Sequence, residues 1–230
     1  MALVRPGQSA RLEAAMSWDS PRLLAAGDDD LAPRPGDRDL ARSQVLEAHL
    51  TTGTAVSVQA EYRSRFLNLL DTSPLSLTRA CLPSHLTGSA LVVRPGSDEC
   101  LLLWHNKAQR WLQPGGHADG DGNLAHVAWR EATEETGIAG LRVVVPAVHL
   151  DIHEFRPVGE PLHLHFDVRF IVAAPADAVP RGNHESSGFR WATVAQLDNL
   201  GADAGLIELA RWGQHLMNDP NWPDDDAGGL

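Results

Sequence analysis

Glu131 precedes Glu134 and Glu135 by three and four positions. On a helix that spacing gathers three carboxylates on one side, within roughly 6 Å of axial rise. Like charges so placed repel, and a divalent cation with a preference for oxygen ligands, such as Mg²⁺ or Mn²⁺ in its place, relieves the repulsion and bridges to phosphate oxygens. The ordinary alternative is a solvated acidic face on which Arg130 pairs with Glu134. Histidine is a second feature, with eleven in 230 residues. Asp151, His153, His163 and His165 set potential ligands on polar strand faces. A second metal site is one use for them; lining a substrate pocket, or simple hydrogen bonding, is the other.

What surrounds the carboxylates decides between the two readings of that helix. Residues 113–138 read QPGGHADGDGNLAHVAWREATEETGI. A Pro-Gly-Gly loop leads to Asn123, a residue that caps helices well, and Gly137 followed by Ile138 is a good helix stop. The predicted helix covers Leu124–Thr136. The stretch resembles the Nudix hydrolase family, whose signature runs from a glycine through a glutamate to Arg-Glu, an apolar residue, Glu-Glu, glycine and an apolar residue. Gly116, Arg130, Glu131, Ala132, Glu134, Glu135, Gly137 and Ile138 fall on those positions. The first glutamate of the signature is replaced by Gly122, with Asp119 and Asp121 nearby in the same loop. That glutamate holds the loop in the family, so its loss touches loop geometry more than metal binding. Flanking hairpins and the run from Glu185 through Phe189 to Trp191 extend the likeness over residues 85–216.

The resemblance implies metal ligation by Glu131, Glu134, Glu135 and the Gly116 carbonyl, with Arg130 orienting the glutamates. It implies hydrolysis of a diphosphate linkage in a nucleoside diphosphate derivative or similar small molecule. A carboxylate serves as general base, with Glu134 the candidate in the signature and Glu185 the candidate outside it. His117, beside Gly116, joins His163 and His165 as candidate substrate-binding residues. Trp104 and Trp111 either stack on a base or pack in the core. Two other readings remain: an isoprenoid-diphosphate isomerase of the same fold, disfavoured because Cys100 opens an apolar run, and a non-catalytic sensing module, disfavoured by the intact glutamates.

These residues need a scaffold. Residues 90–93 and 100–104 are apolar segments around an Arg-Pro-Gly-Ser turn and read as a β-hairpin. A second hairpin is predicted from 149–155 and 162–172, where Leu164, Phe166, Val168 and Phe170 alternate with His163, His165, Asp167 and Arg169. Helical spacing covers residues 45–70 with a break at Gly53, and a last helix spans residues 194–217 with a break near 201–205. The expected fold is an α/β/α sandwich, a mixed sheet between helices, with a helical N-terminal extension. Residues 1–42 and 218–230, rich in Asp, Pro and Gly, read as disordered ends around a domain at 43–217.

Composition excludes other classes. A net charge of −11 argues against a nucleic-acid binder. Apolar runs are too short to span a bilayer, and no apolar stretch follows Arg5 and Arg11, so neither membrane insertion nor a signal peptide is expected. Two cysteines without CxxC spacing suit a cytoplasmic setting. The oligomeric state has no signal.

Overall fold

The computed structural model describes residues 21–50, 56–106, 108–156, 161–182 and 186–223, with backbone alone at Ser186 and Ser187. In chain order its strands are β1 (Arg22–Leu24), β2 (Ser84–Val93), β3 (Glu99–His105), β4 (Arg110–Leu112), β5 (Gly115–His117), β6 (Arg142–Phe155), β7 (His163–Ala173) and β8 (Ser186–Thr193). The helices are α1 (Arg38–Glu47), α2 (Val56–Thr72), α3 (Leu124–Thr136), α4 (Val194–Leu197) and α5 (Ala204–Met217). No helix among the described residues is long and apolar enough to cross a membrane.

The strands form one eight-stranded mixed sheet ordered β1-β6-β7-β2-β3-β4, with β5 also on β2 and β8 on β3. Among the described residues only β2 and β7 run parallel, in register from Ser84 opposite Leu164 to Val93 opposite Ala173; the other pairings are antiparallel. The two-residue period of a strand sorts side chains between the faces. Leu86, Ala90 and Val92 of β2 join Phe66 and Leu70 of α2 and Leu124, Val127 and Ala128 of α3. Leu91 and Val93 point the other way, to Leu206, Leu209 and Trp212 of α5. Each fully buried aliphatic or aromatic side chain contributes about 1.5–3 kcal/mol, so two sealed faces fix the sheet between helical layers. The fold is the expected α/β/α sandwich.

The predicted break in the first helical region falls between α1 and α2; Gly53 itself lies outside the described residues. Both hairpins form, β6 starting earlier than predicted because Val143 and Val144 also pair with β7. In the last helical region α4 ends in a short 3₁₀ turn and Gly201, after which Asp203 caps α5 by accepting from the Leu206 N–H.

The reading of residues 1–42 as disordered is corrected over 21–42. There β1 pairs with β6, Leu24, Leu31 and Ala41 are buried, and Asp37 caps α1 by accepting from the Leu40 N–H. Composition misleads here because the segment builds no core of its own and adds a few apolar side chains to one already present. Residues 1–20 and 224–230 lie outside the described residues.

Candidate functional site

The segment 113–138 begins as β5, crosses a tight loop and ends as α3. Asn123 caps the helix, its Oδ1 accepting from the His126 N–H at 3.3 Å. Gly137 ends it in the left-handed region at φ 61°, where its N–H donates to the Thr133 carbonyl. Helix and strand are thereby held at a fixed distance, and two glutamates close the gap between them. The Glu135 carboxylate, buried beneath the helix, accepts from the Gly115 N–H at 3.0 Å. Glu131 faces Gly116 so closely that a Cβ on residue 116 would stand 2.4 Å from the Glu131 carboxyl carbon. Only glycine leaves room for that carboxylate, and the Gly116 backbone is brought directly against it.

Arg130 ties these parts together. Its Nη2 donates to the His117 carbonyl at 3.0 Å and stands 2.9 Å from Glu131 Oε1, while Nη1 lies 4.0 Å from Glu134 Oε2. The pairing of Arg130 with Glu134 anticipated for a plain acidic face is thus present but long. Accessibility separates the three carboxylates: the Glu134 side chain is 58% exposed and that of Glu131 15% exposed. One carboxylate faces solvent while its neighbours are committed to the loop.

Gly122, which stands where the signature has glutamate, is explained by the N-terminal segment. A Cβ there would lie 2.0 Å from the Asp37 carbonyl oxygen. Around it the Gly36 N–H donates to the Gly120 carbonyl at 2.7 Å, and the Gly122 N–H to the Arg34 carbonyl at 2.8 Å. Asp121 accepts from the Arg34 N–H at 2.8 Å and the Asn123 N–H at 2.9 Å. Gln44 of α1 reaches the helix start, donating to Asn123 Oδ1 and accepting from the Leu124 N–H. Residues 34–44 therefore hold the loop that a glutamate would otherwise hold. Asp119 is engaged by both Nε and Nη2 of Arg79, whose hydrogen bonds hold its carboxyl below the usual range.

His117, His163 and His165 come together on the sheet face opposite α3, joined by His85, which the sequence reading missed. His163 and His165 are only 4% and 8% exposed, which leaves little surface for a substrate and counts against the pocket-lining reading. Burial holds His117 down near 4 and His165 near 2, and lowers His85 as well. Next to them on β7 a buried polar chain runs through the sheet. Asp167 accepts from Thr87, Ser89 and Arg169, and Arg169 reaches Asp151 at 2.7 Å. Burial pushes the Asp151 carboxyl up, but the Arg169 charge and the His153 hydrogen bond outweigh it and hold it well below the usual range.

Glu185 lies outside the described residues. Trp104 and Trp111 meet edge to face at 5.6 Å between ring centres, both half-buried. Cys100 is buried in the core on the α5 side, and burial pushes its thiol up to about 12. A cleft between the N-terminal segment and β6 is lined by Arg22, Asp30, Arg34, Gln44 and Val145 among others, but by none of the three glutamates.

The sequence model of the NUDIX domain matches residues 84–213. No curated protein matches the sequence. Among solved structures, an Ap4A hydrolase binary complex from C. elegans is 18% identical, covering 56% of this chain and 95% of that one at TM-score 0.46. A NUDIX-family hydrolase from Clostridium perfringens is 23% identical, over 58% and 97%, at 0.44. The NUDIX domain of Shewanella oneidensis NrtR, complexed with ADP ribose, is 16% identical, over 60% and 90%, at 0.45.

Proposed function

This chain belongs to the NUDIX family, to whose domain model residues 84–213 conform, and from that premise we propose that it is a metal-dependent hydrolase of a diphosphate linkage in a nucleoside diphosphate derivative or similar small molecule. The observation that supports the reading most is the cradle at Gly116, where a glutamate carboxylate occupies the space that any side chain would fill. Oxygen donors of this kind suit Mg²⁺ or Mn²⁺. Glu131, Glu134, Glu135 and the Gly116 carbonyl would hold the ion. When bound, such an ion neutralises phosphate charge and makes a water more acidic.

The chain's own residues do the rest. Arg130, anchored on the His117 carbonyl, fixes the Glu131 carboxylate and keeps a positive charge beside it. Glu135 holds the β5 backbone in place through the Gly115 N–H. Glu134, whose side chain is the more exposed, can take a proton from a water attacking phosphorus. Glu185 is the alternative base. The leaving group departs as a phosphate or phosphate ester carrying the electron pair of the broken P–O bond. The net charge of −11 disfavours a polynucleotide substrate and leaves a small anion, met through the metal, as the fitting one.

The isomerase alternative loses ground because Cys100 is sealed in the core with its thiol held protonated. Colorimetric phosphate release from a panel of nucleoside diphosphate derivatives, with phosphatase coupling and with or without Mg²⁺, tests the proposal. Release that requires Mg²⁺ supports it; absence of release across the panel with every divalent ion tried refutes it.

A further inference from the structure

Four histidines converge at one end of the sheet, on the face away from the motif carboxylates. His85 is the second residue of β2, His117 closes β5, and His163 and His165 lie on β7. The register makes the meeting unavoidable. His85 stands opposite His165 in the parallel pair, and Thr87, two residues along the same face, stands opposite His117. One ligand atom from each ring can be chosen so that all four lie within 4.8 Å of one another. Ring centres are separated by 4.8 Å for His85 and His163, 4.9 Å for His117 and His165, and 5.0 Å for His85 and His117.

Two of the outer nitrogens are already committed. His163 Nδ1 lies 2.9 Å from the Pro161 carbonyl and His85 Nδ1 lies 3.3 Å from the Cys81 carbonyl. A carbonyl only accepts, so each Nδ1 carries the hydrogen, and in the neutral ring Nε2 is left with its lone pair. This is how metal-binding imidazoles are held, with the outer N–H tied to a carbonyl. His85 Nε2 is buried and has no hydrogen-bond partner among the described residues. His163 Nε2 and His165 Nε2 are 3.2 Å apart, close to the ~3.3 Å between ligand atoms of a tetrahedral zinc with ~2.0–2.1 Å bonds.

We propose that His85, His117, His163 and His165 form a closed four-imidazole site for a first-row transition ion, with Zn²⁺ the ion whose tetrahedral preference they meet. Four nitrogen donors without a carboxylate select against Mg²⁺ and for zinc and its neighbours. Because all four positions are filled by protein, the ion is structural, with no place for water or substrate. It cross-links β2, β5 and β7. Its chief effect falls on β5, a three-residue strand that carries Gly116 and whose His117 carbonyl anchors Arg130. The inference stands independently of the hydrolase reading, since no turnover is needed to observe it.

The test uses the untagged full chain, stripped with a chelator and titrated with Co²⁺ and then Zn²⁺. The expected result is one Co²⁺ per chain that gives the intense visible absorption of tetrahedral coordination, distinct from weakly absorbing Co²⁺ on the motif oxygens, bleached stoichiometrically by Zn²⁺, and a higher Tm with Zn²⁺. Glu131→Gln keeps the tetrahedral absorption of the wild type; His163→Gln/His165→Gln loses it by at least ~100-fold in affinity, the upper range for disturbing a metal's supporting residues. If that double variant fails to fold, His117→Gln, altered at the least buried of the four, is read by the same criteria. Wild-type protein that takes up no stoichiometric Co²⁺ or Zn²⁺ overturns the proposal, as does binding lost in Glu131→Gln and kept in the histidine variant.

Discussion

Replacing Gly122 by glutamate, which restores the family signature, should weaken this particular protein. The first side-chain atom would stand 2.0 Å from the Asp37 carbonyl oxygen and 2.5 Å from its carbon, both backbone atoms that cannot rotate away. The chain has two ways to relieve the overlap. It can shift packed backbone, at about 1–3 kcal/mol for overpacking. Or it can release residues 34–37 from the loop, giving up the hydrogen bonds Gly36 to Gly120, Gly122 to Arg34 and Arg34 to Asp121, at about 1 kcal/mol each. The first route costs about 1–3 kcal/mol and the second about 3 kcal/mol, so at roughly 2–4 °C per kcal/mol for a chain of this size Tm falls by about 2–12 °C. Gly122→Ala should show most of the loss, since the overlap begins at Cβ. Thermal unfolding followed by circular dichroism measures this, with the same glutamate substitution in a chain lacking residues 1–37 as the partner experiment. In that background the obstructing backbone is gone and the substitution should shift Tm by no more than about 2 °C, a coupling expected only between groups in contact. An equal fall in both backgrounds, or none in the full chain, would refute the docking of the N-terminal segment on the motif loop.

Gly116→Ala places a methyl 2.4 Å from the Glu131 carboxyl carbon, the far end of a flexible side chain, so Tm should move by under about 2 °C while turnover falls at least ~100-fold, measured in the phosphate-release assay. Cys100→Ala should leave turnover in the phosphate-release assay within about twofold, because the thiol is enclosed in the core; loss of turnover with unchanged Tm would contradict a purely packing role for it. The Asp151 carboxyl is held below its ordinary value, so the folded state binds fewer protons there than the unfolded one. The stability it contributes is therefore present above about pH 4 and lost as pH falls below it. Urea unfolding between pH 6 and 3 should show that Asp151→Asn costs about 1.5–3 kcal/mol at the upper end, for a charge-assisted hydrogen bond, and progressively less toward the lower. A pH-independent difference would contradict the assignment.

What the sequence made legible was whatever depends on near neighbours in the chain. Asn123 and Gly137 delimit α3 because caps are local, and the alternation of Leu164 and Phe166 with His163 and His165 specifies a strand whatever it pairs with. Partners remote in sequence were hidden. His85 gave no sign of joining His165, because the pairing of β2 with β7 is parallel and spans the motif. The loss of glutamate at Gly122 was visible, but its substitute was not, since Arg34 and Asp37 compensate through backbone atoms that any residue would offer. Residues 21–42 were misjudged on composition, although Asp37 followed by Ala41, Val45 and Ala48 at helical spacing carries a capped amphipathic pattern.

The most direct test of the hydrolase account is the Mg²⁺ dependence of turnover in the wild type and Glu134→Gln, measured side by side by phosphate release on the best substrate of the panel. Glutamine keeps the size of the side chain and removes its charge. The account predicts that wild-type turnover needs Mg²⁺ and that Glu134→Gln loses at least ~100-fold at every Mg²⁺ concentration, with an unchanged unfolding curve. Turnover near the wild-type level in Glu134→Gln, or wild-type turnover that persists with all divalent ions chelated, would contradict it.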